Sequence, residues 1–231
     1  MRRNFFYLIT IAMAVILTAS IPVTLTGQMT LSFQHTGRVT IGLCGSGNAT
    51  IDWGDGTRVE THTLKFSMVP YYHTYSGATP RTITITGSDI RGLVCTDMQL
   101  TSLDVSKNPA LSILDCSRNK LTSIDLSNNL DLRHLTCTNN QLTNLDVSKI
   151  IWLGLIRCSY NQLTSLDLNN NRAIKNLYCD NNPFTTVNME NLFRSLHNNV
   201  INGGKAIFPG STSANTGIAR ETGWTIGGLT N

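Results

Sequence analysis

The apolar residues in the second half of the chain return at a fixed interval of 21 positions. Four consecutive copies align without gaps: LTSLDVSKNPALSILDCSRNK from Leu100, LTSIDLSNNLDLRHLTCTNNQ from Leu121, LTNLDVSKIIWLGLIRCSYNQ from Leu142 and LTSLDLNNNRAIKNLYCDNNP from Leu163. A half-copy, IRGLVCTDMQ, precedes them at residues 90–99, and another, FTTVNMENL, begins at Phe184. One copy alone cannot enclose its apolar side chains, so the pattern predicts coils that stack into a solenoid.

The apolar positions within each copy follow a specific order. In the first copy they read L-x-x-L-x-C-x-x-N-x-L-x-x-I, set by Leu111, Leu114, Cys116, Asn119, Leu121 and Ile124. This order resembles the leucine-rich repeat, and the match covers residues 90–192. The resemblance implies a solenoid whose constant residues point inward, which leaves the changing outward residues free for recognition.

Asparagine recurs at two turns of the coil. One row is Asn119, Asn140, Asn161 and Asn182, and the second is Asn108, Asn129 and Asn171. A side-chain amide both donates and accepts, so we expect the first row to form a ladder that bonds backbone groups inside the turns. In the third copy Ile150 takes the place of the second asparagine, followed by Ile151 and Trp152. We expect neighbouring loops or the terminal segment to cover this apolar stretch; left exposed, it would mark an interaction site.

Two further residue types recur at the repeat interval. The cysteines are Cys95, Cys116, Cys137, Cys158 and Cys179, and the aspartates are Asp104, Asp125, Asp146 and Asp167. Each cysteine stands where the repeat needs an inward apolar residue, which favours packed thiols over disulfides or a metal site. The sixth cysteine, Cys44, has no evident mate. The aspartates face outward, where we expect them to support turns; calcium coordination is the alternative interpretation.

Residues 28–88 contain short, partly alternating runs that predict a small all-β unit. Trp53-Gly54-Asp55-Gly56, followed by His73-Thr74-Tyr75 and the run TITIT at residues 82–86, resembles the polycystic-kidney-disease (PKD) type β-sandwich of cell-surface proteins. A tight Asp-Gly turn beside a buried Trp53 explains the first motif. The alternative is a metal or hydrolytic site that uses Asp52, Asp55, His62 and His73. A pocket that gathers His62, His73 and a carboxylate would favour that alternative.

The ends of the chain carry different patterns. Arg2 and Arg3, the apolar block at residues 5–17 and the small residues 18–20 resemble a secretory signal peptide; a retained membrane anchor is the alternative. MENLFRSLH at residues 189–197 has helical spacing, KAIFPG and GWTIGG read as short strands, and residues 213–224 predict a second short helix. These segments are expected to cap the last apolar coil, and similar endings occur in bacterial surface proteins of the internalin type, which the whole layout resembles.

Charge narrows the partner classes. The chain has 18 basic and 14 acidic residues. Removal of residues 1–20 reduces the net charge to about +2, and no basic cluster occurs, so a nucleic-acid partner is not expected. No nucleophile–base arrangement or cofactor motif stands out, so we expect no enzyme activity, no cofactor and no metal.

The outward positions that change from coil to coil are the candidate ligand contacts. We assign Arg157 as a charged anchor and Tyr160 and Tyr178 as aromatic contacts, since tyrosine and arginine are enriched at binding hot spots. Asp115 and His134 are candidate polar selectors, and Trp152 is a separate apolar contact.

The sequence therefore predicts a mainly β protein in four parts. These are a signal peptide (1–20), a PKD-like β-sandwich (28–88), a leucine-rich-repeat solenoid (90–192) and a small α/β carboxyl-terminal cap (193–231). We expect a secreted or surface-attached monomer that binds a protein or glycan, without membrane insertion after signal cleavage. The alternative is a structural spacer or assembly component of the bacterial envelope.

Overall fold

The computed structural model describes residues 27–196, 206–208, 220–221 and 224–226. Within these ranges the chain forms strands β1 (Gly27–Phe33), β2 (Gly37–Asp52), β3 (Glu60–Thr63), β4 (Val69–Tyr75), β5 (Arg81–Val94), β6 (Leu100–Asp104), β7 (Ile113–Asp115), β8 (His134–Thr136), β9 (Leu155–Arg157), β10 (Asn176–Tyr178), β11 (Ala206–Phe208) and β12 (Thr225–Ile226), and helix α1 (Thr186–Ser195). The predicted signal peptide lies outside the described residues. None of the helical residues in the described ranges forms a helix long and apolar enough to cross a bilayer.

The amino-terminal strands pair antiparallel around the two long strands β2 and β5. In β1 every second residue is buried, which places Met29, Leu31 and Phe33 in the core. The first half of β2 pairs with β4 and its second half with β3 and β5, with register shifts between the two halves that bend the strand. The Phe33 and Tyr75 rings meet edge to face at 5.4 Å, although β1 and β4 do not pair. This packing gives the small β-sandwich that the sequence predicts.

Strand β5 connects the sandwich with the solenoid. Its first half pairs antiparallel with β1, and its last three residues, Gly92–Val94, pair in parallel with β7. A second pairing attaches the first coil to the sandwich, because β6 pairs antiparallel with β1. The sandwich therefore covers the first coil, whose Met98 and Leu100 are buried.

The solenoid is built from short parallel strands in strict register. Leu114 of β7 pairs with Leu135 of β8, which pairs with Ile156 of β9, which pairs with Leu177 of β10. Successive coils therefore stack with the sequence offset of 21 residues seen in the repeats. The two short terminal strands predicted from the sequence are present as β11 and β12, and they extend the same parallel sheet.

Helix α1 covers the last coil. Thr185 caps its start by accepting a hydrogen bond from the Asn188 N–H at 3.2 Å, and the helix buries Met189, Leu192 and Phe193. The predicted helix is therefore confirmed, although it begins at Thr186 and ends at Ser195. In the second predicted helix the structure describes Arg220, Glu221 and Trp224, of which the first two are helical, and the rest lies outside the described residues.

The first asparagine row forms the expected ladder. The Asn140 Oδ1 accepts the Leu121 N–H at 3.0 Å, and its Nδ2 donates to the carbonyls of Cys116 and Cys137 at 3.0 and 3.1 Å. Asn119, Asn161 and Asn182 make the same set of bonds in their own coils. Each amide therefore joins two adjacent coils and satisfies backbone groups that the turn leaves unpaired.

The cysteines form a buried column. Cys95, Cys116, Cys137, Cys158 and Cys179 are fully buried, and all are free thiols. Burial raises their pKa values, to about 12 for Cys137 and Cys179, so these thiols stay protonated and pack as small apolar side chains. The packed-thiol prediction is confirmed, and the disulfide alternative is wrong.

The second asparagine row explains the anomaly at Ile150. The Asn129 Nδ2 donates to the carbonyls of Val105 and Asn108 at 3.0 and 2.8 Å, and Asn171 makes the equivalent bonds one coil beyond Ile150. Ile150 occupies the same position and is only 1% exposed, so an apolar side chain fills the space of the amide. The expected coverage holds for Ile150 but not for Ile151 and Trp152, which are 51% and 54% exposed.

The aspartate row supports turns. Asp104, Asp125, Asp146 and Asp167 each accept the backbone N–H two residues further on, at 2.9 Å. The Ser106 hydroxyl lowers the pKa of Asp104, and the backbone N–H of Ser127 lowers that of Asp125. The predicted role in turns is confirmed. In the described ranges no group of three or more His, Cys, Asp or Glu side chains is placed to hold a metal ion.

Candidate functional site

The outward face of the parallel strands presents two rows of side chains. The middle residue of each strand is buried, so its two neighbours point away from the core. The first row is Ile113, His134, Leu155 and Asn176, and the second is Asp115, Thr136, Arg157 and Tyr178. Neighbouring members of a row lie about 4.8 Å apart, the usual spacing of paired strands. A ligand can therefore contact several coils at once.

Arg157 and Tyr178 meet on this face. The guanidinium carbon of Arg157 lies 5.0 Å from the centroid of the Tyr178 ring, within the range of a cation–π contact. Arg157 is exposed, whereas Tyr178 is partly buried. The pair forms a charged and aromatic surface on two adjacent coils.

Tyr160 lies in the turn after β9 and is 53% exposed. Its φ angle is +55°, in the left-handed region, and the equivalent residues Arg118, Asn139 and Asn181 have φ values of +56°, +55° and +53°. Asparagine tolerates this conformation, but a bulky side chain is strained in it. Among the described residues no ring contact joins Tyr160 to Arg157 or Tyr178. Tyr160 is therefore a separate, strained and exposed aromatic residue on the edge of the face.

The two predicted polar selectors differ in their surroundings. The Asp115 Oδ1 accepts hydrogen bonds from the Ser117 N–H at 3.0 Å and the Ser117 hydroxyl at 2.7 Å. One carboxylate oxygen of Asp115 is therefore already used by its own turn. The His134 side chain is exposed and lines a surface hollow together with Arg133 and Lys175. Of the two residues, His134 is the better placed to meet a ligand.

Trp152 stands between two surface hollows. One, of about 360 Å³, is lined by Arg133, His134, Trp152, Gly154, Leu155, Ala173, Lys175 and Asn176. The other, of about 570 Å³, is lined by Ser148, Ile151, Trp152, Asn170, Arg172 and Ala173. The guanidinium carbon of Arg133 lies 5.9 Å from the Trp152 ring centroid, so Arg133 makes a cation–π contact with this ring. Trp152 is therefore exposed beside both hollows, and its role as an apolar contact stays a prediction.

The Trp53 motif is the centre of a hydrogen-bonded network. Trp53 is buried, stacks on the His73 ring at 4.9 Å and accepts the Tyr75 hydroxyl at its carbonyl at 2.7 Å. The Asp55 Oδ2 bonds to the His73 Nε2 at 2.7 Å, and its Oδ1 accepts the Thr57 hydroxyl at 2.6 Å. The Thr57 hydroxyl and then His73 lower the pKa of Asp55 to about 2. The aspartate is therefore ionised and fixed in its turn, as the turn interpretation predicts.

The same region contains an open cleft with two histidine–carboxylate pairs. The cleft is lined in part by Glu60, His62 and His73, and the His62 Nε2 bonds to the Glu60 Oε2 at 2.7 Å. The gathering of residues that would favour a hydrolytic site is therefore present. In the described part of the chain, however, no Ser, Thr or Cys side chain bonds to either imidazole. The cleft lacks the nucleophile–base contact that covalent hydrolysis uses.

Sequence reasoning did not identify Gly154 as part of a site. The other copies carry Ser112, Arg133 and Lys175 at this position, so only the third coil has no side chain there. This substitution leaves open the hollow between Arg133 and Lys175. A comparison of the copies, position by position, reveals the glycine at 154. The sequence does not reveal that Trp152 lies beside it, and the hollow depends on both residues.

Comparisons with known proteins find likenesses among solved structures. No family model and no curated protein matches the chain. Among solved structures it is similar to the functional domain of InlJ from Listeria monocytogenes, which is described as including a cysteine ladder. The identity is 29%, the TM-score is 0.47, and the match covers 56% of this chain and 28% of that chain. The fold assignment therefore stands on this chain's own coils and parallel strands.

Proposed function

We propose that the chain is a non-enzymatic binding module that acts outside the cell and recognises a protein or glycan through the outward residues of its solenoid. Arg157 and Tyr178 are the central contacts, Tyr160 and His134 lie beside them, and Trp152 adds an apolar contact. The basic and apolar pattern of residues 1–20 supports export. Adhesion at a bacterial surface is the role that this arrangement suits best.

The strained backbone of Tyr160 is the observation that carries the proposal. Arg118, Asn139 and Asn181 occupy the same left-handed position in other coils, so the fold does not need a tyrosine there. The side chain is half exposed and packs on no described ring. A strained, half-exposed aromatic side chain that the fold does not require is most readily explained by a role in binding.

We further propose that residues 28–88 form a PKD-like domain that stiffens the module and presents the solenoid away from the surface. The network around Trp53, His73 and Tyr75 supports this, because it uses the residues that carry the resemblance. The continuous strand β5 suits the same role.

A structural spacer is the second candidate function, and one observation favours it. Strand β5 runs unbroken from the sandwich into the solenoid sheet, so the two parts share one sheet and one apolar core. A spacer needs this rigidity. It does not need exposed aromatic residues, and the strained Tyr160 has no purpose in it.

The substitution Tyr160→Asn separates the two functions. Asparagine relieves the left-handed strain, so we expect the free energy of unfolding to rise by about 1 kcal/mol and the melting temperature by about 2–4 °C. Binding to arrayed extracellular proteins and glycans should fall at least fivefold for the ligand that the wild-type chain captures. Thermal unfolding and equilibrium binding measure the two effects on the same samples.

Two control variants accompany this test. Asn139→Tyr introduces the same strain in the preceding coil, so we expect it to lower stability by about 1 kcal/mol. Asn144→Ala changes an exposed residue after β8 and outside both rows, and should leave both readouts unchanged. A Tyr160→Asn variant that gains stability and keeps full binding contradicts the proposed contact. A wild-type chain that captures nothing on either array contradicts the binding function itself.

A further inference from the structure

Gly154 is not required by the backbone. Its φ lies outside the left-handed region, and a Cβ atom there would lie 3.7 Å from the carbonyl oxygens of Ala173 and Arg133, an ordinary contact. The equivalent Ser112, Arg133 and Lys175 show that the coil accepts a side chain at this position. A glycine lowers the stability of the folded protein, because its backbone is unusually free in the unfolded chain. The presence of Gly154 therefore needs a reason other than stability. The absence of a side chain at Gly154 leaves the hollow between the Arg133 and Lys175 side chains open.

Trp152 and Ile151 form an apolar surface, called the apolar wall, beside the hollow at Gly154. Both are half exposed, and they replace the Pro109-Ala110, Leu130-Asp131 and Arg172-Ala173 pairs of the other copies. Ile150 beneath them is buried, which anchors the loop to the core. An exposed tryptophan next to an aliphatic side chain on an anchored loop is typical of a protein contact rather than of a solvated turn.

The charge around the wall has one sign. Arg133 and Lys175 line the smaller hollow and Arg172 lines the larger one, and no Asp or Glu lines either. Arginine binds carboxylates with two parallel hydrogen bonds, and lysine adds a compact positive charge. The hollow therefore matches a carboxylate that lies next to an apolar group.

We propose that these residues form a docking site for an acidic peptide segment of a partner protein, with Arg133 and Lys175 holding a carboxylate in the Gly154 hollow and Trp152 and Ile151 packing on an adjacent apolar side chain. This site lies at the loop edge of the solenoid, beside the strand face that carries Arg157 and Tyr178. It rests on the proposed function, because it assigns a partner class to the same binding module.

The lining favours a peptide over a glycan. Proteins often bind sugar hydroxyls with carboxylates, and neither hollow offers one, although the Ser148 hydroxyl, the His134 imidazole and the Asn170 and Asn176 amides line them. The exposed apolar atoms of Ile151, and those of Leu155 at the edge of the hollow, suit an aliphatic or aromatic side chain. An acidic residue followed by an apolar residue in an extended segment meets both surfaces at once.

The test is a selection from a random 12-residue peptide library on the purified full chain. We expect the recovered peptides to carry Asp or Glu next to an apolar residue. Their Kd values should rise at least tenfold for Trp152→Ala and for Gly154→Gln, which fills the hollow without adding charge. Arg133→Gln should weaken binding at least fivefold, and binding should weaken as salt rises because charge pairs at the surface are screened.

Lys107→Gln is the matched control, because it removes one exposed positive charge that contacts Gln28 far along the solenoid. It should leave the Kd values unchanged. Peptides without acidic residues, or peptides whose binding ignores Trp152→Ala and Gly154→Gln, overturn the proposal. Peptides that depend on Arg157 and Tyr178 instead overturn this site and keep the proposed function.

Oligogalacturonate, an acidic glycan, is the competing probe. If it binds the wild-type chain and loses affinity in Trp152→Ala while no peptide is selected, the peptide assignment is wrong and the binding module stands. If neither the library nor the arrays yield any ligand, both the site and the proposed function fail.

Discussion

Replacing Asn140 by leucine is expected to lower the free energy of unfolding by about 3–4 kcal/mol. The change removes the acceptor for the buried Leu121 N–H and the donor to the carbonyls of Cys116 and Cys137. A buried N–H without a partner costs about 1–3 kcal/mol, and the lost bonds to the two carbonyls add to it. Urea unfolding followed by circular dichroism measures the difference.

The control for this variant is Asn144→Leu. Asn144 lies four residues further along the chain and is exposed, so we expect a change within about 0.5 kcal/mol. Equal and small effects for the two variants would contradict the ladder, because they would mean that the Asn140 amide satisfies no buried backbone group.

The second large effect is expected at Gly54. Its φ is +72°, and a Cβ atom would lie 2.2 Å from the carbonyl oxygen of Thr82, a backbone atom that cannot move without disturbing β5. Gly54→Ala therefore combines left-handed strain with a backbone clash, and we expect a loss of at least about 3 kcal/mol. Thermal unfolding followed by circular dichroism measures the loss.

Gly56→Ala separates the two causes. Gly56 has a similar φ of +83°, but a Cβ atom there would meet nothing within 4 Å. We therefore expect it to lose only about 1–2 kcal/mol, the cost of the left-handed conformation alone. If Gly54→Ala and Gly56→Ala were equally mild, the close approach of this turn to β5 would be wrong.

The solenoid could be predicted from the sequence because stacking imposes the same environment on every coil. Each inward residue packs against the equivalent residues of the coils on either side. The same residue types therefore recur at a fixed interval, as the cysteine column and Leu114, Leu135 and Leu177 do. The row that begins at Asn119 could be predicted for the same reason, since each turn leaves the same backbone groups without a backbone partner.

Contacts between distant segments could not be predicted in this way. Nothing in the repeat indicates that β5 serves the sandwich at one end and the solenoid at the other, because that depends on how β1 pairs with it. The cleft at His62 and His73 has the same origin, since β2 pairs with both β3 and β4. In the candidate site, Trp152 was identifiable by its difference from the other copies, whereas its exposure depends on the three-dimensional course of the loop.

Native-state alkylation of the thiols, counted by mass spectrometry, tests most directly whether the coils stack as described. All six cysteines are buried and free, so we expect no label on the intact chain and six labels after denaturation. The column of Cys116, Cys137 and Cys158 should stay protected for as long as the chain is folded. Rapid labelling of any of these three cysteines in the folded chain would contradict the stacked solenoid and, with it, the outward face on which binding is proposed to occur.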